Sequence, residues 1–311
     1  MAPRRILLTG ASGFVAGHLI PRLGGAFPDA ELTLCGVGEI IVDVADADAV
    51  RALVQRVRPD ACVHLAAVST VGAARHDPGH AWRVNLHGSL ALAAALLAHA
   101  PDCVLLYISS GEIYGRSFRA GVALDETAAA APMNAYAATK AAADLALGAM
   151  VADGLRVIRL RPFNHTGPGQ AADFVVPAFA RQVARIAAGL QPPAMRVGAL
   201  DPERDFLDVR DVCAAYVACL ERAERIASGT IFNVASGRPR RIGAVLEQLL
   251  ELAGVAATPE TGAALLRPVE IPIAAGNADA ARAVLGWQAA IPWEQTLRDV
   301  LQDWRERVRH E

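Results

Sequence analysis

The sequence predicts an α/β protein in which a doubly wound parallel sheet carries a smaller C-terminal substrate-binding domain. Three observations predict it. Strand-like apolar runs alternate with helix-like periodicities through the first half, the first run enters a glycine turn, and Pro- and Gly-rich segments interrupt shorter elements beyond Arg161. Parallel strands need a long crossover, usually a helix, and helices on both faces leave the strands apolar throughout.

Residues 5–8 are the first apolar run, and residues 14–23 read as a helix. Residues 31–35 form a second strand, followed by a helix over 47–57 with Val50, Leu53, Val54 and Val57 at helical spacing. A buried strand at 61–65, a helix at 82–99 and a strand at 103–109 continue the alternation. A long helix from about 134 to 152 precedes the strand at 156–160. Segments 167–170, 191–193 and 267–272 then break the chain into shorter pieces. A helix at 212–223 and a strand at 230–235 return to the first domain. The expected division is therefore 1–164 with 206–236, and 165–205 with 237–311. Trp287, Trp293 and Trp304, with Leu297 and Leu301, read as packing for the terminal helix.

At 311 residues, 53% apolar and 20% charged, the chain is globular and long enough to bury a large core. A net charge of -2 gives no electrostatic footprint for nucleic acid, and no basic amphipathic stretch points to a membrane. The longest apolar stretch, at 90–97, falls short of the ~20 residues a bilayer requires. The five cysteines (35, 62, 103, 213 and 219) are scattered without a C-x-x-C pair, which reads as free buried thiols in a reducing cytosol. His76 and His80 are four apart, but Asp77, Pro78 and Gly79 between them break a helix. A mobile loop near a substrate mouth is expected there, and no metal.

Residues 9–17 read T-G-A-S-G-F-V-A-G between a strand and a helix. Gly10 permits a tight turn, Gly13 lets backbone amides approach a diphosphate, and the helix N-terminus adds partial positive charge. Ser12, Phe14 and Val15 complete this candidate dinucleotide site, with Ala16 where a third glycine is usual. After Cys35 come Gly36, Val37, Gly38 and Glu39, with neither an arginine nor an acid at the tip, so NAD and NADP both remain open. Asp43, followed by Val44, suits two roles: an acceptor for an adenine amino group, or the cap of the helix beginning near Ala47.

Tyr136 and Lys140 are four apart on a predicted helix and share one face. An ammonium beside a phenol favours phenolate and brings its titration nearer neutrality, which suits proton transfer. Ser110, at the C-terminal end of a parallel strand, places a hydroxyl on the ligand crevice. The three groups together would surround one carbonyl or alcohol oxygen.

T-G-A-S-G-F-V-A-G, H-L-A-A at 64–67, S-S-G-E-I-Y-G at 109–115 and Y-A-A-T-K at 136–140 resemble the extended short-chain dehydrogenase/reductase family. R-P-F-N-H-T-G-P-G-Q at 161–170, R-D-F-L-D-V-R-D at 204–211 and L-R-P-V-E-I-P at 266–272 resemble GDP-mannose 4,6-dehydratases and, more closely, GDP-4-keto-6-deoxy-D-mannose reductases. The resemblance runs over essentially the whole chain. It implies a Rossmann-type fold, an NADP or NAD cofactor and a GDP-linked sugar whose C4 ketone is reduced to GDP-D-rhamnose. By position, Tyr136 would be the general acid, Lys140 would bind the nicotinamide ribose and tune Tyr136, and Ser110 would bind the sugar oxygen. Leu65, Ala66 and Ala67 would pass beside the cofactor, and Phe163 would lie near the nicotinamide. Ser69, Asn164, Arg204 and Arg267 would hold the sugar nucleotide, with Arg181 a weaker candidate.

Each arginine has a plainer role to weigh. Arg204 could pair with Asp205 or Asp208, Arg267 could be a surface charge, and Arg181 could lie on a solvated helix face; His165 reads as a satisfied polar contact. Related dehydratases use a glutamate at the position of Glu112, so a 4,6-dehydratase or a C4 epimerase is the alternative. A nonenzymatic cofactor-binding regulator is a third class, although such proteins often lose the tyrosine or lysine kept here. The resemblance also implies a homodimer formed through a four-helix bundle, and the free cysteines a cytoplasmic location.

Overall fold

The computed structural model describes residues 2–262 and 271–311. β1 (Arg5–Thr9), α1 (Phe14–Ala26), β2 (Glu31–Cys35), α2 (Ala47–Val57) and β3 (Ala61–His64) alternate from the start. Two short helices, α3 (Val71–His76) and α4 (Pro78–Trp82), lead through a π-helical turn at Arg83–Gly88 into α5 (Ser89–His99). Next come β4 (Val104–Ile108), a 3-10 stretch at Gly111–Ala120, α6 (Ala135–Ala149) and β5 (Val157–Pro162). β6 (Asn164–Thr166), α7 (Val175–Ala187), β7 (Ala194–Val197), β8 (Glu203–Asp208), α8 (Val209–Glu221) and β9 (Ile231–Val234) follow. The chain closes with β10 (Pro239–Arg241), α9 (Ile242–Ala253), β11 (Thr258–Thr261), β12 (Ile273–Ala274), α10 (Asp279–Leu285) and α11 (Trp293–Val308).

Six strands pair in the order β2-β1-β3-β4-β5-β9, every pair parallel. The chain steps from β1 out to β2 and returns past β1 to β3. The connections after β1 and β3 therefore leave the sheet in opposite directions and open a crevice at its C-terminal edge. Strand residues such as Leu7, Val63 and Leu105 are fully buried, as a sheet covered on both faces requires. Leu19 and Leu23 of α1 and Val212 and Tyr216 of α8 cover one face. Val50 and Leu53 of α2, Leu92 and Leu96 of α5 and Leu147 of α6 cover the other.

β8 pairs antiparallel with β10 and parallel with β6 and β12, and β7 pairs with β11. A separate core gathers Val176, Phe179 and Val183 of α7, Leu246 and Leu249 of α9, and Leu297, Val300 and Trp304 of α11. Strand alternation makes β8 serve both cores, with Phe206 in this one and Leu207 in the sheet layer beside α8.

Several local expectations are corrected. The segment around His76 and His80 forms α3 and α4 rather than a loop. The break falls at Asp77, whose carboxylate accepts the His80 N–H at 2.8 Å, with Pro78 opening α4. The cap of α2 is Asp46, which accepts from the N–H groups of Asp48 and Ala49 at 3.1 and 3.0 Å. Asp43 instead closes a turn on the Ala45 N–H at 2.9 Å. The five cysteines are free and buried. No helix among the described residues is long and apolar enough to cross a membrane.

Candidate active site

β1 ends at Thr9, and Gly10 turns the chain with a φ of 71°. A Cβ on Gly10 would stand 2.6 Å from the Ala66 amide nitrogen, so no larger residue fits. The Gly13 N–H donates to the Gly10 carbonyl at 3.0 Å, and α1 then starts without a side-chain cap. Its first N–H groups are left for a ligand. Ala16 is fully buried and Gly17 faces open space, so only the former position demands a small side chain. The strand leaving β3 runs alongside: the Leu65 N–H donates to the Thr9 carbonyl at 3.2 Å and the Ala66 N–H to Thr9 Oγ1 at 3.3 Å. A cradle that a Cβ would fill, beside an uncapped helix start, fits a dinucleotide diphosphate. At the tip of β2, Gly36 has a φ of 111° and donates to the Ile40 carbonyl at 2.7 Å. Ser12 Oγ lies 3.6 Å from where a Cβ on Gly36 would be. Asp43 is exposed, and Val44 is buried against Gly88.

Across the crevice, Asn134 caps α6 by accepting the Ala137 N–H at 2.8 Å. The helix presents Tyr136 and Lys140 toward the end of β4. The half-buried Tyr136 shares a hydrogen bond with Ser110, whose Oγ also accepts the Glu112 N–H at 3.1 Å. Lys140 is buried; its ammonium donates to the Ile108 carbonyl and lies 4.8 Å from the Tyr107 ring centroid. Ser110, Tyr136 and Lys140 therefore converge at one strand end.

The expected pull of the ammonium on the phenol does not prevail. Burial pushes Tyr136 up to about 12, against the Ser110 hydrogen bond and with help from the Glu112 charge. The phenol stays protonated at neutral pH, the state from which it can give a proton. Burial also brings Lys140 down to about 8, with Asp144 opposing. Burial raises the Glu112 carboxyl, against the Arg204 charge and a hydrogen bond with Asn134.

Arg204 Nη1 donates to the carbonyls of Glu203 at 2.8 Å and Ile271 at 3.2 Å. It does not pair with the nearby acids. Asp205 is taken by Ser236, Gly237 and Gly276, and Asp208 by Arg210. Asn164 is half-buried on β6, and Ser69 is exposed just before Thr70, the cap of α3. The Phe163 ring is buried against Tyr114 and Phe118, with centroids 6.3 and 6.0 Å away. His165 makes the expected polar contact, Nδ1 to the Phe163 carbonyl at 3.0 Å, and stacks on Phe14. Arg181 is corrected as a substrate ligand: it pairs with Glu311 at 3.1 Å and lies over the Trp304 ring. Arg267 lies outside the described residues.

Three buried polar residues were missed. His64 joins Thr9 Oγ1 at 2.7 Å to Ser89 Oγ at 3.0 Å, and burial with the Lys140 charge lowers it to about 3, so it stays neutral. Asn85, inside the π-helical turn, accepts the Val68 N–H at 2.8 Å and donates to the Val68 carbonyl at 3.1 Å and to Thr139 Oγ1 at 2.9 Å. Such turns often mark functional sites. Asp144 binds Arg159 and Arg161. Of the 30 Lys and Arg residues, Lys140 is the only lysine.

The family model for GDP-mannose 4,6 dehydratase matches residues 39–300. The chain is 38% identical over 310 residues to the GDP-6-deoxy-D-mannose reductase of Pseudomonas aeruginosa, covering 99% of each. The structure of RMD from Pseudomonas aeruginosa complexed with NADPH aligns with a TM-score of 0.87 at 36% identity, covering 98% of this chain and 99% of that one. The UDP-glucose 4-epimerase of Thermus thermophilus, complexed with NAD, aligns with a TM-score of 0.83 at 27% identity, covering 97% and 99%.

Proposed function

The chain belongs to the GDP-mannose 4,6-dehydratase family, and from that premise we propose that it reduces the C4 ketone of GDP-4-keto-6-deoxy-D-mannose to GDP-D-rhamnose, using NADPH or NADH. The observation that carries this reading is the convergence of Ser110, Tyr136 and Lys140 across the crevice from the Gly10 turn. The near full-length likeness to a reductase named for this product selects the sugar.

Gly10, Ser12, Gly13, Phe14, Val15, Leu65, Ala66 and Ala67 would hold the dinucleotide, with Lys140 on its ribose. The bound reduced nicotinamide supplies the hydride that C4 accepts. The chain's own groups manage the oxygen. Ser110 and Tyr136 offer hydrogen bonds to it, and the Tyr136 proton passes to it as negative charge develops. The Lys140 ammonium stabilises the phenolate left behind. Arg204, Asn164 and Arg267 would hold the sugar nucleotide, since a guanidinium fork matches diphosphate oxygens.

One observation favours a second reading. Glu112 puts a half-buried carboxyl beside the carbonyl-activating pair, where it could take a proton from the neighbouring carbon, as a 4,6-dehydratase or epimerase needs. Incubation with the ketosugar and NADPH separates the two. Cofactor oxidation with GDP-D-rhamnose as product supports the reductase, and its absence refutes it. Conversion of GDP-mannose to a ketone without net cofactor use would support the dehydratase.

We place the enzyme in the cytoplasm as a homodimer. The outer positions of α5 and α6, Ala94, Ala98, Leu145 and Ala149, are small or apolar and exposed, as a helix-bundle interface requires. Light scattering that gives the mass of one chain would remove the dimer.

A further inference from the structure

We propose that Asp144 is a positioning residue of the active site: clamped by the two arginines of β5 one helical turn beyond Lys140, it is the counter-charge to that buried ammonium. The activity arm of the test rests on the ketoreductase reading; the inference itself does not.

Asp144 follows Lys140 by four residues on α6 and so occupies the same face one turn on. It is fully buried. Its carboxylate accepts Arg159 Nη1 at 3.1 Å and Arg161 Nε and Nη2 at 3.1 Å each. The clamp is itself anchored: Arg161 donates to Tyr114 Oη at 3.0 Å and to the Glu126 carbonyl at 3.2 Å, and Arg159 donates to the Gly229 carbonyl at 2.7 Å. The carboxylate is therefore held against β5 by two anchored arginines.

The other groups facing Lys140 are the Tyr107 ring and Ile108 carbonyl of β4 and the neutral His64 of β3, with Tyr136 one turn back on its own helix. Asp144 faces Arg159 and Arg161 on β5 and Tyr107 on β4. Among the described residues, Asp144 is the carboxylate that opposes the loss of charge on a buried Lys140. A purely structural cluster would join α6 to β5 and leave the lysine unaffected.

The sign of each change follows from charge. Asp144→Asn removes the attraction that opposes burial, so Lys140 should lose its proton at lower pH. Arg159→Gln leaves the carboxylate less neutralised, so Lys140 should hold its proton to higher pH. Because Lys140 is the only lysine, protein labelled with ε-13C lysine gives one side-chain resonance whose titration reads it directly.

The expected result is a midpoint lower by about one pH unit in Asp144→Asn and a shift of opposite sign in Arg159→Gln. The alkaline limb of kcat/KM for ketosugar reduction should move the same way. Unchanged midpoints in both variants, with only a lower melting temperature, would overturn the proposal. Should Asp144→Asn not fold, the shift or constancy in Arg159→Gln decides. If the wild type fails to turn over the ketosugar, the substrate assignment falls while the resonance still decides this point.

Discussion

In the proposed reduction Tyr136 and Lys140 would act on the same proton by different means. The phenol would carry it and the ammonium would make its departure tolerable. Tyr136→Phe deletes the carrier and leaves the glycine turn untouched. Its kcat should fall by about 10²–10⁴-fold with cofactor affinity unchanged, as read by fluorescence titration beside steady-state kinetics. Lys140 supplies charge below its titration near 8 and loses it as pH rises through that value. The reduction rate should therefore decline on the alkaline side. Lys140→Arg carries a group that does not titrate in that range, so whatever activity survives should lack this decline. A pH–rate profile of the two proteins checks it.

At the scale of elements, what could be read ahead was what lies close together in the chain. The first turn packs its demands into Gly10, Gly13 and Ala16, and α6 shows its working face through one four-residue interval between Tyr136 and Lys140. Asn85 could not be found this way, because its partners Val68 and Thr139 stand 17 and 54 residues away. His64 was visible only as part of a pattern; its contacts to Thr9 and Ser89 appear once three elements meet. β7, β11 and β12 have at most four residues each, too few for any period to show. Asp43 suits the cap of α2 on paper, but the backbone gives that place to Asp46. Asp46→Ala should cost about 1 kcal/mol in urea denaturation with turnover unaltered, whereas Asp43→Ala should change the stability of α2 little.

For the molecule as a whole, His64 ties the edge of the glycine turn to α5 and must stay neutral to do so. Its folded value is about 3, against 6.5 when free. The unfolded chain therefore takes up the proton first as pH falls. The stability due to this neutral histidine is complete above about 6.5 and is lost on the way down to 3, by up to about 1.4 kcal/mol per pH unit. Denaturation midpoints of wild type and His64→Gln across that range should converge toward acid; parallel curves would show that His64 does not govern the slope. The burial of Lys140 has a consequence of another kind. Its side chain is only 4% exposed, and no other ε-amine exists in the chain. An acylating reagent thus meets one fast target, the α-amino group, while the second stays sheltered until the crevice parts. Counting adducts per chain by mass would clock those openings, and a dinucleotide that slows the second adduct would report its own occupancy without any coloured product.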